Sequence, residues 1–82
     1  LFAGAVINRV KDHFAIHCDA SKMAESIFME AGEDRFGFME RRSATHYHRL
    51  MNYGLERDIR YCLSADAANV LPIFKGDRLV IQ

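Results

Sequence analysis

The chain has 82 residues, half of them hydrophobic, with eleven basic and eleven acidic side chains that cancel. That length allows one domain at most, near the lower limit for burying a core alone, and that composition excludes a disordered tail. Neutral net charge argues against a nucleic-acid partner, no apolar run approaches the ~20 residues that cross a bilayer, and two cysteines are too few for a disulfide framework, which suits reduced thiols in the cytoplasm.

Phe2, Ala5, Val6 and Val10 fall at helical spacing, with Asn8, Arg9, Lys11 and Asp12 mostly opposite, which predicts a helix over 2–12. Phe14-Ala15-Ile16 is too short a run to type. Asp19 is expected to cap a second helix, because its carboxylate can accept the free amide hydrogens of a first turn. Ala20, Met23, Ala24, Ile27, Phe28 and Ala31 form one apolar stripe along that helix, and Gly32 suits the left-handed residue that ends it. Asp34 to Glu40, with Phe36, Phe38 and Met39 around Gly37, reads as a buried connector or a short helix.

A third helix is expected from Ser43, with Tyr47, Leu50 and Met51 inward and Gly54 as its stop. Leu55, Ile59, Cys62 and Leu63 keep helical spacing and predict a fourth. After a polar connection, Val70-Leu71-Pro72-Ile73-Phe74 and Arg78-Leu79-Val80-Ile81 read as a hairpin about Lys75-Gly76-Asp77. Pro72 has no N–H to give a ladder, so its strand belongs at a sheet edge or carries a break. A two-stranded ribbon is marginal alone, and the chain opens directly in an apolar helix pattern. Both features lead to the expectation of a partner segment upstream.

Residues 35–49 hold four arginines and two histidines against one acid, Glu40. The patch surrounds the expected start of the third helix at Ser43-Ala44-Thr45-His46, where free amide hydrogens and hydroxyls join His46, Arg42 and Arg49. Helix starts of this kind bind oxyanions, whereas the plainer reading is a solvated basic face. His13, His17, Cys18 and Asp19 invite a zinc reading, but no second Cys/His pair at finger spacing follows, and polar residues around a connector are expected instead. Cys62 is expected as a buried structural thiol, the four methionines as core filler, and Asp58 as an ion-pair partner of Arg57 or Arg60.

Several of these residues recur at the spacing of one known family. The opening Leu1-Phe2-Ala3-Gly4-Ala5-Val6-Ile7 is followed by Thr45-His46, Arg49-Leu50, Gly54-Leu55-Glu56-Arg57-Asp58-Ile59, Tyr61-Cys62-Leu63, Asp66 and Val70-Leu71-Pro72. In this order the chain resembles the C-terminal portion of the 2-phosphosulfolactate phosphatase family. The resemblance implies an α/β fold class, with residues 1–82 as the C-terminal part of a three-layer α/β/α fold whose upstream part is missing. Here that part is mostly helices followed by a β-hairpin.

It further implies magnesium-dependent hydrolysis of (2R)-2-phospho-3-sulfolactate to sulfolactate and phosphate, a step toward coenzyme M. The Mg2+ ligands and catalytic acids are expected upstream of this chain. Its own share would be an anion-binding contribution from Arg42, His46 and Arg49, of which His46 matches a family position. The partners so implied are a small phosphate- and sulfonate-bearing substrate and the remainder of the parent protein, with self-association into a homo-oligomer left open. The competing expectation is a non-catalytic small helical interaction domain, which needs a self-sufficient core and no sizeable exposed apolar patch.

Overall fold

The computed structural model describes residues 1–43 and 45–82. Among these, five helices precede one hairpin: α1 (Phe2–Val10), α2 (Asp19–Ala31), α3 (Arg35–Arg42), α4 (His46–Asn52), α5 (Glu56–Leu63), β1 (Pro72–Lys75) and β2 (Arg78–Ile81). The order of helices and then a hairpin is as the sequence predicts, with one helix more. The extra helix is the 34–40 segment, which extends through Arg42.

Asp34 makes α3 possible. Its carboxylate accepts the Gly37 N–H at 3.0 Å, satisfying a first-turn donor, and its neighbour Arg41 lies 3.9 Å away. Arg41 and Arg42 occupy the last turn, where the negative end of the helix dipole favours cations. The cap expected at Asp19 is corrected: Cys18 is the N-cap of α2 and Asp19 is the first helical residue. Gly32 and Gly54 take φ of +61° and +73° and follow the ends of α2 and α4 as expected.

Helix α1 packs closely along α2. A Cβ on Gly4 would stand 2.1 Å from the Ala24 carbonyl oxygen and 2.6 Å from the Phe28 Cβ, so only glycine permits this approach. A Lys11–Glu25 ion pair at 3.5 Å and an Asn8 amide to Met29 sulfur contact at 3.4 Å flank the crossing. A second cluster joins α3, α4 and α5. Phe38 and Tyr47 are buried there, and the Phe36 ring meets Tyr47 edge-on at 5.6 Å. The Arg60 guanidinium lies 3.8 Å over the Phe36 ring. Arg35 donates to the Leu63 carbonyl at 3.3 Å and ties α3 to the end of α5.

In the hairpin, Pro72 pairs with Ile81, Ile73 with Val80, Phe74 with Leu79 and Lys75 with Arg78. Both strands make their substantial contacts with each other and not with the helices.

Little of the apolar surface is covered. Among the described residues only Ala31, Phe38 and Tyr47 are buried hydrophobics, while Phe2, Phe14, Phe74, Leu79 and Ile81 are each at least 65% exposed. The accessible surface is 6964 Å²; a compact monomer of this mass exposes about 5,000 Å². The radius of gyration is 15.0 Å, against about 12 Å for a compact domain of this length. Two burial expectations are therefore corrected. Cys62 is exposed, and Met23 and Met29 are 64% and 60% exposed. Their faces carry the expected helical spacing, but little packs over them.

Candidate functional site

The residues expected to bind anions lie on both sides of the α3–α4 junction. Ala44, within the expected helix start, lies outside the described residues. Helix α4 begins at His46, with Thr45 as an N-cap that makes no side-chain capping bond. His46 and Arg49 are three residues apart in this helix, the spacing that sets side chains on a common face, and both are exposed.

Arg42 ends α3 and is engaged by the Glu30 carboxylate of α2. With Ile27, Glu30, Phe38, Met39 and Ser43 it lines one depression, while Arg49 lines another with Thr45, His48, Asn52 and Tyr53. The structure thus gives Arg42 and Arg49 separate neighbourhoods. Arg49 stands 6.0 Å over the Tyr53 ring. A guanidinium seated on an aromatic face keeps its N–H edges free for an oxyanion. Arg42 already shares its charge with a carboxylate through one nitrogen, leaving its remaining N–H donors for a second anion.

Tyr47, singled out in the sequence only as an inward residue, anchors this region. Its ring is buried, its hydroxyl donates to Glu40 Oε2 at 3.2 Å, and the His48 ring meets it edge-on at 5.2 Å. Loss of solvent raises the phenol pKa above its ordinary value of 10.0, and Glu40 raises it further as acceptor and as nearby charge. Folding therefore favours the neutral phenol. Its contribution is complete below pH 10 and is lost as pH rises through the folded-state value. Tyr47→Phe is expected to cost a little stability at neutral pH and to flatten the loss above pH 10. Denaturant midpoints across pH 7–11 test this, and an unchanged alkaline slope would refute it.

Cys18, at the start of α2, has its thiol pKa lowered by hydrogen bonds from the backbone of Ser21 and Ala20 and from the Ser21 side chain. The zinc arrangement weighed for His13, His17, Cys18 and Asp19 does not form. Among the described residues no three His, Cys, Asp or Glu side chains gather closely enough to hold a metal ion. Magnesium needs converging oxygen ligands, and no such group of Asp or Glu side chains is gathered among the described residues. Asp58, expected beside Arg57 or Arg60, lies at the rim of an apolar depression with Leu50, Leu55 and Ile59, and Arg60 pairs with Glu56 at 3.8 Å. Among the described residues no helix is long and apolar enough to cross a membrane.

A family model described as 2-phosphosulpholactate phosphatase matches residues 1–77. Two similar curated proteins both bear the name "Probable 2-phosphosulfolactate phosphatase". One, from Clostridium botulinum, is 31% identical over 62 residues, covering 76% of this chain and 25% of that protein. Another, from Clostridium acetobutylicum, is 30% identical over 80 residues, covering 95% of this chain and 33% of that protein. The chain thus spans a quarter to a third of the length of the relatives it matches. No solved structure matches it.

Proposed function

This chain belongs to the 2-phosphosulpholactate phosphatase family, and on that premise we propose that it is the C-terminal part of a phosphatase that hydrolyses (2R)-2-phospho-3-sulfolactate to sulfolactate and phosphate. The observation that carries the reading is the family match across residues 1–77. The reaction needs a metal or acid to activate water and cationic groups to hold a substrate bearing phosphate, carboxylate and sulfonate. The carboxylates for Mg2+ are assigned to the rest of a family-length polypeptide. This chain would contribute positive charge.

Within that reading His46 and Arg49 bind one anionic group of the substrate, from a shared face of α4. Arg42, in its separate neighbourhood, meets another anionic group of the substrate through the guanidinium N–H groups that Glu30 leaves free. Placing the protein in the cytoplasm, on a route toward coenzyme M, belongs to the same proposal. The competing reading, a small self-contained interaction domain, requires a covered core. Among the described residues, fourteen large hydrophobic side chains exposed against three buried hydrophobics count against it.

Kinetics of the family-length polypeptide test the assignment. A charge-assisted hydrogen bond contributes about 1.5–3 kcal/mol, so His46→Ala and Arg49→Ala should each raise KM by at least about tenfold. Arg42→Ala should do less, because its native charge is already shared with Glu30. Thermal stability measured beside KM separates binding from folding. Unchanged kinetics in both α4 variants, or a stability loss large enough to explain the lost activity, would leave these residues structural.

A further inference from the structure

The hairpin carries polarity in its backbone as well as in its sequence. Gln82 N–H donates to the Leu71 carbonyl at 3.1 Å, which makes 71 and 82 a hydrogen-bonded pair. Such pairs alternate along an antiparallel ladder. With the observed register, the backbone groups of Ile73 and Lys75 therefore face β2, and those of Val80 and Arg78 face β1. Pro72 and Phe74 then point their backbone groups away from the hairpin on one side, and Leu79 and Ile81 on the other.

The two outer edges are not equivalent. On the β1 side one outward position is Pro72, which has no N–H, so that edge offers a single donor at Phe74. On the β2 side both Leu79 and Ile81 offer an N–H and a carbonyl. An edge with proline resists pairing, whereas an edge with a full row of donors and acceptors is a template for it.

The side chains agree with a position inside a larger sheet. Pro72, Phe74, Leu79 and Ile81 share one face and are all exposed, while Ile73 and Val80 hold the other at its open end. Strands with apolar residues on both faces are those covered from both sides. The matched segments of 80 and 62 residues make up 33% and 25% of the relatives, so both relatives are about three times the length of this chain. The accessible surface also exceeds that of a compact monomer by about 2,000 Å².

We propose that the outer edge of β2, through the backbone of Leu79 and Ile81, pairs with a β-strand from the part of the family-length polypeptide outside these 82 residues, leaving β1 as the terminal strand of that sheet. This inference rests on the reading of the chain as part of a longer phosphatase. Its test is independent of activity: amide exchange reports the ladder whether or not phosphosulfolactate is the substrate, and kinetics report the substrate whichever strand pairs.

The experiment is residue-resolved amide hydrogen exchange on the polypeptide encoded by the complete reading frame. The Leu79 and Ile81 amides should exchange at least about 100-fold more slowly than the Phe74 amide, and equally slowly after tenfold dilution. The proposal is overturned if either β2 amide exchanges as fast as Phe74, or if Phe74 is equally protected. It is overturned too if protection falls on dilution, which would make a second copy the occupant, or if the reading frame encodes no residues beyond these 82.

Discussion

Gly4→Ala is expected to destabilise the protein by about 2–3 kcal/mol, the upper part of the range for forcing a methyl group into a packed contact. The sign is what makes the experiment decisive. In an ordinary helix interior alanine is favoured over glycine by about 1 kcal/mol, so propensity alone predicts a gain. Here the new methyl carbon would meet the Ala24 carbonyl oxygen at 2.1 Å and the Phe28 Cβ at 2.6 Å. The first of these atoms is backbone and the second is fixed to it, so no rotamer change relieves the overlap. Helix α1 must move off α2, loosening Ala24 and Phe28 together. In the family-length polypeptide a lower urea midpoint at unchanged slope is the expected readout. A midpoint equal to or above that of the unsubstituted protein would mean that the helices do not approach this closely.

The 82-residue chain alone is expected to release no phosphate from 2-phosphosulfolactate, with or without magnesium. Enzymes of this kind of chemistry act through rate enhancements of at least about 10⁶-fold, so loss of the metal and acid groups leaves nothing measurable. The expectation follows from the proposal that the Mg2+ carboxylates belong to the rest of a family-length polypeptide, and from the open depressions around Arg42 and Arg49. Phosphate release by the purified chain, compared with the family-length polypeptide at equal concentration, is the measurement. Clear magnesium-dependent turnover by the short chain would move the chemistry into residues 1–82 and refute the division of labour proposed here.

The elements most legible in the sequence are those whose signals are local. The α2 stripe, the glycines after α2 and α4, and the hairpin around Gly76 depend on periodicity and turn chemistry that a few neighbouring residues specify. Helix α3 is harder to read, because Gly37 sits inside it and the decisive bond, Asp34 to the Gly37 N–H, is a cap of three residues' span before a run of mixed polarity. Once α3 extends to Arg42, the arginines read as a lead-in to the next helix become the dipole-matched end of the previous one. Burial is least legible. Helical spacing marks Cys62 and Met23 as members of apolar faces, but whether a face is covered depends on segments far away in the chain. The same applies to the candidate site: the spacing of His46 and Arg49 is readable, whereas the pairing of Arg42 with Glu30 joins residues twelve apart on different helices. Tyr47 is the residue that pattern alone undervalues, since its role comes from Glu40, Phe36 and His48 converging on one ring.

The division of the helices into an α1–α2 pair and an α3–α4–α5 cluster has a consequence for cooperativity. The links between the two groups include the Arg42–Glu30 ion pair and Arg35 lying 5.8 Å over the Phe28 ring, contacts between partly exposed side chains. Exposed charge pairs contribute about 0–1 kcal/mol, too little to make two groups melt as one. Each group is therefore expected to open more readily than a single shared core would, with the hairpin as a third part held by few contacts to the helices. A chain organised in this way is expected to show no single unfolding enthalpy, with all-or-none melting only when further polypeptide spans the three parts and makes the opening of one costly to the rest.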